Sequence, residues 1–177
     1  NVLGGGTSIN AQVYIRGGKE EDDQWENILK FNNDSVDWSW NSLLPIFKRI
    51  ENNDSLNNEY HNQGGQLNVS YSPYKNDLSY DFIEALNKLG VKTTNDFNSD
   101  KQSGVGFYQF MNRNGKRSSA AYAFIEKDLK NKKLDLKLNT KIQKIIIEKN
   151  RAIGVEYQNT NGETKRMYSD NEIIISA

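Results

Sequence analysis

Three consecutive glycines, Gly4-Gly5-Gly6, constrain this chain more than any other feature. Without a Cβ, backbone there can take φ > 0 and lie close against another group. Thr7, Ser8 and Asn10 follow and offer side-chain oxygens and an amide. A turn of N–H groups running into a helix start suits an anion such as a phosphate. The spacing matches neither G-x-G-x-x-G nor the P-loop. On the residues alone, a tight loop and an anion seat both stand.

The rest of the composition narrows the function classes. A chain of 177 residues is long enough to bury a core. Lys+Arg and Asp+Glu both number 23, so no net field favours nucleic acid or an anionic membrane. No cysteine is present, which removes disulfides and thiolate metal sites, and the single histidine, His61, removes a histidine-pair zinc site. No apolar run reaches the length of a transmembrane segment. The glycine turn arrives at once with no initiator Met, so the chain reads as an internal piece of a longer protein.

Periodicity then supplies the elements. Trp25, Ile28 and Leu29 predict a helix capped by Asp22 or Asp23, and Asn32–Ser35 a polar loop. Leu43, Leu44, Phe47 and Ile50 predict a second helix with Asn41 or Ser42 as cap and Pro45 in its first turn. Trp38 and Trp40 are expected as core anchors, and Glu51 to Asn58 as solvated loop. Gln66–Tyr71 alternates like a strand. Leu78, Phe82, Ala85, Leu86 and Leu89 share a face of a helix ending at Gly90. Phe107–Met111 reads as a strand, and Gly104-x-Gly106 as its entry or a weak cofactor signal. Asn114-Gly115 is a turn, and Ser118 or Ser119 caps a helix over 120–129. Strands follow over 134–138, 141–147, 151–157 and 164–168, and 172–176 resembles a buried parallel strand.

Candidate chemistry is sparse. His61 is either a general base or structural, and Arg117 either grips a phosphate or makes a surface ion pair. Glu51, Asp81, Glu84 and Glu156 read as solvated faces and caps.

The opening run resembles the first signature of the glucose–methanol–choline (GMC) oxidoreductases. Its places are filled by Asn1, Leu3, Gly4-Gly5, Gly6-Thr7, Ile9, Asn10, Tyr14, Gly17 and Asp23, where Asn1 replaces a more usual Arg or Lys. Further matches are Asp23-x-Trp25, Leu44-Pro45-x-Phe47 with Glu51, Tyr60-His61, Gly115-x-Arg117-Ser118-Ser119, Ala152-x-Gly154-Val155-Glu156 and Ile173 to Ala177. The resemblance implies a mixed α/β (α+β) fold: part of a Rossmann-like FAD-binding domain with an antiparallel β-meander, plus part of a substrate domain. By analogy, residues 1–35 and 114–177 go with the flavin and 36–113 with the substrate side.

Carried over position by position, Gly5 and Gly6 lie near the FAD pyrophosphate, Thr7 is a cofactor-binding residue, and Asn10 contacts the cofactor. Ala11, Gln12 and Val13 run past the isoalloxazine, and the main chain of Ile142 meets the adenine. Ile9 stands where some members carry a flavin-bonded His, which implies non-covalent FAD. The family's dinucleotide glycine motif is expected ahead of Asn1, and its catalytic His beyond Ala177. No catalytic residue and no metal ligand is therefore assigned. The implied reaction is oxidation of an alcohol CH–OH by hydride transfer to flavin. A cyanohydrin-lyase-like or a non-catalytic relative is the alternative. The alcohol, the electron acceptor, the compartment and the oligomeric state are left open.

Overall fold

Side-chain oxygens of the first helix hold the entry to the second, and this hairpin leads into the sheet. The computed structural model describes residues 2–31 and 36–176. Expectations for Asn1, the Asn32–Ser35 loop and Ala177 lie outside the described residues.

Helix α1 spans Lys19–Phe31 and begins earlier than its expected caps. Glu20, Glu21 and Asp22 occupy its first turn, where negative charge complements the helix dipole. Asp23 lies inside the helix, pairs with Lys19, and accepts the Trp40 N–H at 3.2 Å. Glu26, buried and paired with Lys30 at 2.7 Å, accepts the Trp38 N–H at 2.6 Å. These acids satisfy backbone donors at the entry to α2 (Trp40–Ile50), which would otherwise lack partners.

The cap of α2 also differs from expectation. The helix starts behind Ser39, and Asp37 organises the turn by accepting the Ser42 hydroxyl at 2.6 Å and the Ser39 N–H at 2.9 Å. Those bonds, Ser42 first, hold the Asp37 carboxyl down to about 2. Pro45 consequently lies inside the helix, beyond the first turn, and supplies no N–H for the Asn41 carbonyl. Trp40 is buried as an anchor should be, whereas Trp38 is 43% exposed.

Strand β1 (Glu51–Asn53) follows α2 directly and pairs parallel with β2 (Leu67–Tyr71). Strand β2 pairs antiparallel with β3 (Gln109–Phe110), all that forms of the strand expected over 107–111. The segment after the glycine turn joins this sheet. The Tyr14 N–H reaches the Gln109 carbonyl at 2.8 Å, and the Met111 N–H reaches that of Gln12 at 2.7 Å. The apolar core here is small: Tyr14, Leu67 and Val69, with Met111 and Ala123 against it.

Beside that core lies a buried polar cluster, and it corrects the reading of Glu51 as solvated loop. Glu51 is fully buried, held at 2.5 Å by the Arg16 guanidinium and at 2.8 Å by His61 Nδ1. His61 Nε2 faces Asp96 at 3.0 Å. Arg16 also donates to the Tyr14 hydroxyl at 3.1 Å and the Tyr60 carbonyl at 2.7 Å. Asn53 Nδ2 gives its hydrogens to Glu51 at 2.8 Å and to Gln109 at 2.9 Å, and Gln109 returns one at 3.0 Å. A carboxylate stands at each ring nitrogen of His61, an arrangement that favours the doubly protonated ring.

Burial works against the His61 charge, but the bonds to Asp96 and Glu51 outweigh it and raise the pKa above the usual 6.5. Burial likewise opposes ionised Asp96, yet the bonds from His61 and the Asn98 N–H carry its pKa below 3.8.

Helix α3 (Asp77–Lys88) has Asn76 as its cap, accepting the Leu78 N–H at 2.9 Å, and stops at Gly90 with φ 89°. The predicted apolar face forms, but Leu78, Phe82 and Leu89 on it are exposed. Strands β4 (Asn112–Arg113) and β5 (Lys116–Arg117) form a hairpin turned by Asn114 at φ 52° and Gly115 at φ 71°, as a type I′ turn requires. Ser119 caps the next helix, its hydroxyl accepting the Tyr122 N–H at 3.2 Å. That helix opens with a π turn at Ala121–Ile125 before α4 (Glu126–Lys130). Ser118 is instead buried and accepts the Asn68 N–H at 3.0 Å.

The structure divides into two compact units, Asn1–Asn131 and Lys132–Ala177. The second contains the expected antiparallel meander, β6 (Lys141–Glu148), β7 (Arg151–Gln158) and β8 (Thr164–Tyr168), in that order. Residues 134–138 and 172–176 are not strands, because no partner strand pairs with either among the described residues. Among the described residues no helix is long and apolar enough to cross a membrane.

Breaking a buried ion pair leaves an uncompensated charge, so Glu51→Gln is expected to lower stability by about 3–5 kcal/mol in urea denaturation. Stability should also follow pH with a defined sign. The His61 contribution is complete below 6.5 and is lost as pH rises through its raised pKa. That of Asp96 is complete above 3.8 and is lost as pH falls through its lowered one. A urea midpoint that climbed from roughly pH 7 to pH 10 would contradict this assignment of charges.

Candidate cofactor site

The glycine turn folds into a single 3₁₀ turn, Gly5–Ser8. Gly4 takes φ 88°, and a Cβ there would lie 2.5 Å from Ser8 Oγ and 3.3 Å from the Ala121 nitrogen. Only glycine fits that position. Gly5 takes φ 53°, and added Cβ atoms on Gly5 or Gly6 would meet nothing within 4 Å. These two residues therefore present bare backbone to open space.

Distant side chains fix the shape of the turn. The Thr7 hydroxyl donates to the Gly4 carbonyl and accepts the Ala120 N–H at 2.9 Å. Ser8 Oγ donates to the Leu3 carbonyl at 2.7 Å. Arg117 Nη1 donates to the Thr7 carbonyl at 3.0 Å and to Asn10 Oδ1 at 2.9 Å. The same Asn10 oxygen accepts the Gln12 N–H at 3.1 Å, turning the chain so that Gln12 adopts φ 65°. The Arg117 guanidinium thus braces the loop.

Gly5, Gly6 and Thr7 lie in the 3₁₀ turn, and Asn10, Ala11, Gln12 and Val13 follow it in the chain. Ala11 is exposed and Gln12 and Val13 are half-buried. Ile9, at the place of a flavin-bonded His, is 77% exposed. Ile142 belongs to the second unit, on β6 opposite Tyr157, with its side chain 55% exposed.

Sequence reasoning missed Arg117, Ala120 and the buried Arg16–Glu51–His61–Asp96 cluster as supports of this segment. Their partners stand from 10 to more than 100 residues away, and most lie beyond the reach of local spacing.

The model of the GMC oxidoreductase family matches residues 1–177. The chain belongs to the GMC oxidoreductases. Among its curated relatives are an oxygen-dependent choline dehydrogenase of Sinorhizobium medicae, 36% identical over 176 residues, and an alcohol dehydrogenase [acceptor] of Pseudomonas putida, 35% identical over 177. Each alignment covers 99% of this chain and 31% of the relative, so the chain spans less than a third of their length. An FAD-dependent oxidoreductase from Chaetomium thermophilum superposes with a TM-score of 0.86 at 27% identity, over 97% of this chain and 31% of that one. The mixed α/β fold and the FAD expected from the resemblance stand with this GMC membership.

The glycines make separable predictions. Gly4→Ala should destabilise the protein by more than about 1 kcal/mol, since φ and space both exclude a side chain. Gly6→Ala should leave the unliganded protein within about 1 kcal/mol of wild type. Thermal denaturation of both variants tests the pair.

Proposed function

We propose that these residues form the flavin-facing part of an FAD-dependent GMC enzyme that oxidises the CH–OH group of an alcohol, of choline, sugar or other type. The observation that carries this reading is the glycine turn: bare backbone at Gly5 and Gly6, held in one conformation by Thr7 and Arg117. Backbone at Gly5 and Gly6 with no side chain in the way suits the close approach of a pyrophosphate.

In this reading Gly5, Gly6 and Thr7 face the pyrophosphate, and Asn10 contacts the cofactor with its amide. Ala11, Gln12 and Val13 lie along the isoalloxazine through their backbone, and Ile142 meets the adenine through its main chain. Residues 1–35 and 114–177 serve the flavin, and 36–113 the substrate side. With Ile9 at the position of a linking His, the FAD is held non-covalently.

FAD, when bound, supplies the acceptor for the hydride leaving the alcohol carbon. The part played by this chain is to orient that group and keep water from its backbone face. Arg117 contributes by fixing the Asn10 oxygen, leaving the Asn10 Nδ2 hydrogens directed by a rigid side chain. No acid–base group is assigned to the 177 residues, and they are expected to bind FAD weakly by themselves.

The test is made in the full-length protein. Gly6→Ala should reduce flavin content at least tenfold without lowering the melting temperature of the apoprotein, and an alcohol substrate should bleach the flavin spectrum of wild type. Undiminished flavin content in Gly6→Ala would remove the turn from the cofactor site. A bound flavin that no alcohol reduces would point to the lyase-like or non-catalytic alternative. Titration of residues 1–177 alone, followed by flavin fluorescence, should show no tight saturable quenching.

A further inference from the structure

The first unit carries a second feature that shares no residue with Gly4–Val13. A cleft of about 430 Å³ opens beside α3, and Leu56, Tyr71, Lys75, Tyr80, Ile83 and Phe107 line it. These six bring together three aromatic rings, two aliphatic side chains and one ammonium group. The walls are fixed from behind. Gly106 precedes Phe107, and a Cβ on it would lie 2.0 Å from the Thr94 carbonyl oxygen, so only glycine lets this segment run so close. The Thr94 N–H donates to the Val105 carbonyl at 2.9 Å, and the Val105 N–H to that of Lys92 at 3.0 Å. The Tyr71 hydroxyl donates to the Asn95 carbonyl, and Tyr80 meets Phe107 edge to face with centroids 5.1 Å apart.

Lys75 reaches over this surface from the segment between β2 and α3. Its Nζ lies 4.6 Å from the centroid of the Phe107 ring and 5.4 Å from that of Tyr71. Both rings are walls of the cleft, so the ammonium lies in it and is not directed away. The side chain is half-buried, and among the described residues it has no ion pair or hydrogen bond. Glu84, an acid on α3, is taken by Lys88 at 2.6 Å. Ring faces are the only partners of the Lys75 charge, and its three N–H donors are left over.

Charge and walls together decide the occupant. A fixed ammonium repels a cation and attracts an anion. One ammonium neutralises one charge, so a dianion such as a phosphate ester would keep an unpaired charge against hydrocarbon. A monocarboxylate matches the charge and accepts short, charge-assisted hydrogen bonds from Nζ. A flat aromatic body beside that carboxylate can stack on ring faces or meet their edges. We infer that the cleft beside α3 is a binding site for a small aryl carboxylate, with Lys75 as its counter-ion and Tyr71, Tyr80 and Phe107 as its aromatic walls.

The full-length protein is titrated with sodium benzoate by isothermal titration calorimetry, against sodium chloride at equal concentration and against benzamide as the uncharged shape analogue. The expected result is saturable one-site heat with benzoate and none with sodium chloride. Binding should be weaker by at least about tenfold for benzamide and for benzoate in Lys75→Met, and restored toward wild type in Lys75→Arg, which keeps the charge. Lys75→Met breaks no ion pair and is expected to melt with the wild type. No saturable heat with benzoate, equal binding of benzamide, or benzoate binding unchanged in Lys75→Met would overturn the assignment. Because the readout is heat of benzoate binding and not flavin content or reduction, its failure leaves the cofactor proposal standing, and the reverse also holds.

Discussion

The contact between Arg16 and Glu51 is the constraint on which the first unit depends. Arg16 stands at the end of the segment that leaves the glycine turn, and Glu51 at the junction of α2 and β1. Their 2.5 Å bond ties the turn to the sheet across 35 residues, and His61 and Asp96 extend it on the far side. A core of Tyr14, Leu67 and Val69 is too small to fix this arrangement by apolar burial alone. The charged cluster does so through direction, since each bond has one satisfactory geometry. Charge balance within the cluster makes its burial tolerable.

The same logic of long-range bracing shapes the glycine turn. A run of three glycines has little conformational preference of its own and costs entropy to order. Thr7 anchors it to the start of the helical segment at Ala120, and Arg117 clamps both Thr7 and Asn10. Flexible backbone thereby becomes a fixed surface before any ligand arrives, which is the preorganisation a cofactor site needs. On the neighbouring hairpin, α1 directs Asp23 and Glu26 at the backbone donors leading into α2.

Comparison of sequence and structure shows where local patterns lose their force. Periodicity placed α1, α2, α3 and the meander, because amphipathic spacing and turn residues act over a few positions. It also found the Asn114-Gly115 turn and the Ser119 cap. It misjudged Glu51, since a Glu in an Asn-rich stretch looks solvated until Arg16 and His61 are brought against it. It misjudged the caps of α1 and α2 because acids on one helix served the other. For α3 it identified the apolar face, and the structure leaves Leu78, Phe82 and Leu89 on that face in the open.

By itself, then, the sequence determined the glycine turn, most helices and hairpins, and membership of the GMC oxidoreductases, because these rest on residue types at short, ordered spacings. Only the tertiary structure decided that Arg117 braces the turn and that His61 is buried between the carboxylates of Glu51 and Asp96. Each of these joins residues apart in the chain, its energy depends on burial and geometry, and neither is written in the order of the residues.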